Sequence, residues 1–326
     1  MKRNFGESAA VIPTNAAKKQ SSGGQRLLRE IYQSRYLYLL LLPAMLTYLL
    51  FHYFPMVGLQ LAFKSYNAQL GIWGSEWIGF KHFERLFRTP EFLTALQNTF
   101  IISFSRLLFE FPCPIILAIL INELRMPKLR KIYQTIYTFP HFLSWVIVGG
   151  IIIRFFGSTG PINYLLSSLG FGNLQVLSNG AAFRPFLYIT SIWKTAGWSA
   201  IIYLAAITGI SPELYEAATV DGASRLRRIW HITLPGLAPI IMVQFLLQMG
   251  NIMNGGFDQI FNMYNSVVRP AADILDTYVF RLTYEGLSDY GFSTAVGLFK
   301  SVINLAMLLL ANQVTKTITG SSLYRA

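Results

Sequence analysis

The chain has 326 residues, of which 53% are hydrophobic and only 13% charged, with a net charge of +12. A soluble domain carries roughly a quarter charged residues, so this composition excludes one large water-soluble core and points to lipid as the solvent. The single cysteine, Cys113, and four scattered histidines, His52, His82, His141 and His231, exclude a disulfide framework and a metal site.

From the N-terminus, residues 1–25 are rich in Ala, Ser, Lys and Gly and read as a disordered tail. The first 35 residues are too long and too polar for the n-region of a signal peptide. Residues 26–35 put Leu27, Leu28, Ile31 and Tyr32 on one helical face among arginines. That pattern suits a short helix on the inner membrane surface and equally a polar lead-in to the first span.

Six segments then have the length and apolarity to cross a bilayer, which takes about 20 residues. They lie near 36–56, 97–121, 132–153, 185–208, 235–257 and 292–313. All six are expected to be helices, because lipid offers no water to unpaired backbone groups. The chain therefore reads as an all-α polytopic membrane protein, with a domain of six transmembrane helices over 36–313 between tails at 1–35 and 314–326. Sixteen of the 27 lysines and arginines fall in segments on the side of the termini and eight in the loops opposite. This asymmetry places both termini in the cytoplasm. The basic residues edge the apolar runs rather than forming a stripe, so no nucleic-acid partner is expected.

Polar residues inside spans are costly and tend to face a cavity or one another. The second span carries Arg106 and Glu110, four apart and suited to an intramembrane pair. On the fourth, Ser191, Lys194, Thr195 and Trp198 share a face, with Trp193 alongside. The fifth has Gln244, Gln248 and Asn251 at helical spacing with Asn254 near, and the sixth has Lys300, Ser301 and Asn304. Amide and hydroxyl groups beside aromatic faces would suit a sugar. Trp193, Lys194, Trp198, Gln244, Gln248, Asn251, Asn254, Lys300 and Asn304 are the candidate path, although hydrogen bonding between helices explains such groups too. No constellation of acids, nucleophiles or metal ligands stands in the spans, so no catalytic residue and no metal ligand is expected.

The loop at 209–234, between spans four and five, has its own logic. Ser211 suits a helix N-cap and Pro212 the first helical position. Glu213 favours the positive helix end, Gly222 a stop, and Pro235 the start of span five. The product is a short helix presented to the cytoplasm, with small side chains for close approach and Glu216 as a charge.

This loop resembles the E-A-A motif of binding-protein-dependent ABC import permeases through Glu216, Ala217, Ala218, Asp221, Gly222, Ala223, Ile232, Leu234 and Pro235. The runs at 139–145, 197–207, 276–279 and 292–300 are similar to the carbohydrate-uptake branch, LplB-type, over about residues 30–315. The resemblance implies the MetI-like permease fold, in the bacterial cytoplasmic membrane. It implies a coupling helix around Glu216–Gly222 seated on a separate ATPase. The implied partners are a second homologous permease, two ABC ATPase subunits, an extracytoplasmic solute-binding protein, a sugar and membrane lipid. No G-x-x-x-x-G-K-[ST] loop is present, so ATP and Mg would be used by the partner ATPase and no cofactor bound by this chain. Transport of an oligosaccharide by alternating access is the expected function. An ABC permease for a non-sugar solute and an ion-coupled carrier stay open beside it.

Overall fold

The computed structural model describes residues 32–285 and 288–319. The expected disordered tail and most of the expected surface helix lie outside them. The chain divides into two compact units, residues up to Gly58 and residues from Leu59 onward.

The first unit is α1, Arg35–Tyr48, which runs into a π-helical turn at Leu49–Tyr53. Leucines cover it on all sides and none of its residues is buried, the pattern of a helix solvated by lipid. Pro43 lacks the N–H that would continue the helical ladder, and the hydroxyl of Thr47 donates to its carbonyl at 2.9 Å.

The second unit begins with a small outer layer. Strands β1, Lys64–Ser65, and β2, Glu76–Trp77, pair antiparallel with Lys64 opposite Trp77. Helix α2, Lys81–Arg88, follows. Helix α3, Pro90–Phe109, opens with Pro90 in its first turn, where a missing N–H costs nothing. It bends into α4, Pro112–Asn122.

Next come α5, Pro127–Thr138, and α6, Trp145–Phe156. The third span was expected as one helix over 132–153, and the structure divides it. Pro140 lies in a 3-10 turn, Leu143 is extended, and Ser144 restarts the helix by accepting from the N–H of Ile147 at 3.3 Å. Helix α7, Pro161–Ser168, completes the apolar stretch that begins at Trp145.

Helix α8, Gly180–Thr208, is the central element. It packs on α4 through Ala200, Tyr203, Leu204 and Ile207 against Ile115, Ala118 and Ile121. It also packs on α5, where a Cβ on Gly197 would fall on the carbonyl of Tyr137. Gly197→Ala should therefore destabilise: moving α5 costs about 1–3 kcal/mol, against about 1 kcal/mol of helix propensity gained. Gly150→Ala keeps the gain alone, because nothing lies within 4 Å of its Cβ. Thermal midpoints from size exclusion of the heated protein should separate the two; equal midpoints would remove this account of Gly197.

The loop helix α9, Pro212–Val220, leads to α10, Arg225–Arg228, a π-helical turn at Ile229–Thr233, and α11, Leu234–Gly250. Pro235 does not begin the span, as expected from sequence. The helical run starts at Arg225, and the wider turn just before Pro235 absorbs its missing N–H and its ring. The far end is also shorter than the expected 257. Gly255 and Gly256 adopt φ of +49° and +87° after a 3-10 turn at Ile252–Asn254, conformations that end a helix and suit glycine. A Cβ on Gly256 would also meet the Arg106 guanidinium.

Helices α12, Phe257–Met263, and α13, Leu275–Phe280, precede the last helix α14, Tyr290–Thr319. The segment between them is pinned by polar groups. Asn98 donates at 3.0 Å to the carbonyls of Pro270 and Asp273 and accepts from Arg184 at 2.7 Å. Asp273 binds Arg281 through two contacts of 2.6 Å; that hydrogen-bonded carboxylate holds the guanidinium above its ordinary pKa.

Among the described residues, five helical stretches are long and apolar enough to cross a membrane: Arg35–Phe63, Pro90–Asn122, Trp145–Ser168, Arg225–Gly250 and Tyr290–Thr317. The remaining expected span, the fourth at 185–208, lies on α8, which has the length at 29 residues. Its buried face carries Thr190, Ser191 and Lys194. A helix surrounded by other helices need not be apolar on every side.

Candidate functional site

Two features stand out, an exposed loop helix and a polar seam between spans. In the first, α9 buries none of its residues, and Leu214 and Val220 are exposed along with Glu216 and Ala217. Ser211 holds the N-cap position without a side-chain cap bond; the N–H of Leu214 instead reaches the Ser211 carbonyl at 3.3 Å. The other end is closed tightly. The N–H of Ala223 donates to the Ala218 carbonyl at 2.8 Å and that of Gly222 to Thr219 at 3.1 Å. This pair of bonds is the Schellman closure, which requires a left-handed residue at Gly222, and its φ is +74°. Asp221 occupies the C-cap. Two side-chain bonds hold the helix on the span below it, Tyr215 to Thr233 at 3.0 Å and Arg228 to Thr219 at 2.8 Å. The arrangement presents an apolar and acidic ridge on a fixed base.

The second feature is a pair of adjoining cavities between α3, α8 and α11. One, of about 170 Å³, is lined by Ser103, Arg106, Glu110, Gln248, Asn251 and Asn254 among others. Its neighbour, of about 120 Å³, shares Glu110 and Gln248 and adds Thr195, Ser199, Tyr203 and Gln244. The hydroxyl of Ser103 is buried without a hydrogen-bond partner in the first cavity. Asn251 and Asn254 reach it because the helix breaks there: Asn254 donates to the Asn251 side chain at 3.1 Å.

One wall is charged but self-compensated. Arg106 and Glu110 pair at 3.6 Å, as their spacing predicts, each side chain 14% exposed. Arg106 also donates to Gln259, which in turn donates to Thr190 and to the Leu187 carbonyl. Glu110 accepts from Ser191 at 2.9 Å. The seam thus offers amides and hydroxyls beside an ion pair, which suits a ligand rich in hydroxyl groups.

The other candidate path residues lie elsewhere. Lys194 is buried, donates to the His141 carbonyl at 3.0 Å and sits 5.3 Å from the Trp145 ring centre. Trp198 stacks on His141 at 4.5 Å, and Trp193 is exposed. Lys300 pairs with Asp276. Asn304 accepts from the N–H of Met253 at 3.0 Å and so braces the 3-10 turn. The face expected on α8 therefore splits, with Thr195 toward the seam and Lys194 and Trp198 toward the turn before α6. Ser199 and Tyr203 were missed, although Thr195, Ser199 and Tyr203 repeat every four residues.

Residues 110–320 match the model of the family described as binding-protein-dependent transport system inner membrane component. The chain belongs to this family. It is a membrane permease subunit of the ABC transporter class rather than a catalytic one. It is 44% identical over 295 residues to Protein LplB of Bacillus subtilis (strain 168), covering 90% of this chain and 92% of that one. It is 43% identical over 301 residues to the polygalacturonan/rhamnogalacturonan transport system permease protein YteP of the same organism, covering 92% and 94%. Among solved structures it is similar to a chain of a bacterial ABC transporter involved in import of the acidic polysaccharide alginate. That match has a TM-score of 0.83 and 42% identity, over 90% of this chain and 99% of that chain. The MetI-like permease fold expected from the loop motif agrees with these likenesses.

Proposed function

We propose that this permease carries an oligosaccharide across the bacterial cytoplasmic membrane, through the seam between α3, α8 and α11. The observation that carries the reading is the pair of adjoining cavities lined by Gln244, Gln248, Asn251, Asn254, Thr195 and Ser199 beside a compensated ion pair. Hydroxyl-rich ligands exchange water for such amides at little net cost, and the broken helix end supplies them at membrane depth. The relative YteP is named for polygalacturonan/rhamnogalacturonan transport, and the similar solved transporter for alginate import, which supports the carbohydrate class.

In this reading six spans cross the membrane with both termini inside, α8 being the fourth. Glu216, Ala217, Ala218, Asp221, Gly222 and Ala223 dock on one of two ABC ATPase subunits, which use ATP and Mg. A second homologous permease completes the pore, and an extracytoplasmic binding protein delivers the sugar. A similar solved transporter was captured with an alginate pentasaccharide-bound periplasmic protein. Closure of the ATPase pair, transmitted through α9, switches the side to which the seam opens.

The test is ATP-dependent uptake by the complete complex in proteoliposomes, with the binding protein and a mixed pool of neutral and acidic oligosaccharides. Mass spectrometry should find one sugar class accumulated. Gln248→Ala should cut that uptake about tenfold, the effect of roughly 1.4 kcal/mol for a lost buried hydrogen bond, with the complex intact. Accumulation of a non-sugar solute would move the substrate to the second importer reading. Unchanged uptake in both Gln244→Ala and Gln248→Ala would sink the seam as the path.

A further inference from the structure

A separate groove lies between α5 and α8. Two hollows of about 510 Å³ and 400 Å³ share Lys131, Gln134 and Ile201. The larger is lined by Arg125, Arg130 and Lys131 and reaches Thr208, the end of α8 that leads into α9. That lining holds three cations and no carboxylate. The smaller continues past Thr135 and Thr138 to Phe139 and Phe142, both exposed. The Thr138 hydroxyl is buried there without a hydrogen-bond partner.

The groove thus grades from cationic through hydroxyl and amide to aromatic. The gradient runs along α5, whose 12 residues cover about 18 Å at the helical rise. One leaflet of hydrocarbon is about 15 Å thick. This groove has the polarity profile of a single lipid leaflet.

We propose that the groove binds an anionic phospholipid of the inner leaflet, its phosphate on Arg125 and Lys131 and an acyl chain along Ile201, Phe139 and Phe142. Basic pockets at the cytoplasmic ends of spans hold such headgroups through local charge. The inner-leaflet assignment rests on the termini-inside topology proposed above. Lipid seated here would bridge α5 to the end of α8 from which the coupling loop hangs.

The test uses the complete complex in nanodiscs of phosphatidylcholine with one quarter phosphatidylglycerol, followed by detergent extraction and counting of retained lipids by mass spectrometry. Wild type should retain phosphatidylglycerol selectively, and so should Lys316→Gln, which removes a cation outside the groove. Arg125→Gln/Lys131→Gln should lower that retention on the order of tenfold, while Arg125→Lys/Lys131→Arg keeps it and controls for folding. Equal retention in the neutralised variant, or no selectivity in wild type, overturns the proposal. Capture of the second permease by a photo-crosslinker at Ile201 in the assembled complex also overturns it. Labelling of Lys131→Cys by an impermeant reagent from outside intact cells would instead overturn the topology, so the two failures are distinguishable.

Discussion

Gly222→Val is expected to cut ATP-driven uptake by tenfold or more while leaving the permease inserted and folded. The left-handed φ of +74° costs an ordinary side chain about 1–2 kcal/mol, and a β-branched one more. The strain falls on the two bonds that close α9. A Cβ there meets nothing within 4 Å, so the spans feel no new contact. Gly222→Asn, which tolerates this conformation, should keep most of the uptake. Glu216→Lys reverses an exposed charge without disturbing the closure and should loosen co-purification of the ATPase by a similar factor, as at an interface hot spot. Full uptake in both Gly222→Val and Glu216→Lys would show that α9 is not the coupling helix.

The second large effect is at the membrane-embedded ion pair. Arg106→Met leaves Glu110 with only Ser191 and leaves Gln259 without its donor. Stripping one partner from a buried pair costs about 3–5 kcal/mol. The thermal midpoint of the purified complex should fall by several degrees, and Glu110→Leu should do the same. Arg106→Met/Glu110→Leu should recover much of the loss, because two apolar side chains leave no orphaned charge. Midpoints that are unchanged in the single variants, with uptake reduced, would assign the pair to the substrate instead of to the scaffold.

The loop helix α9 was readable because its requirements are local. A left-handed stop, small residues and a proline in the first turn all act within a dozen positions, and they recur in the structure as the Ala218–Ala223 closure. The divisions of the spans were not readable from apolar content. Hydropathy is blind to backbone angles, so residues 132–153 and 235–257 read as unbroken. Pro140 and the Gly255–Gly256 pair carried the signal for both divisions. The partners of polar groups were hidden for a different reason. Periodicity puts Lys194 and Thr195 on one face of α8 but does not say which helix each side chain meets. Lys300 finds Asp276 24 positions away, from outside its own helix.

The contrast between α1 and α8 bears on how the chain enters the membrane. The leucine-rich α1 needs no other part of its own chain to be at home in lipid. For α8, a lysine at the middle of a helix raises the insertion free energy by about 2.5–3.5 kcal/mol, and Lys194 sits near its centre. Its acceptor, the His141 carbonyl, and the Trp145 ring belong to a segment made earlier, as does Glu110, which receives Ser191. On the six-span reading proposed above, synthesis order supplies the counterparts first, so that α8 would leave the translocon into a nest of helices rather than into bare lipid.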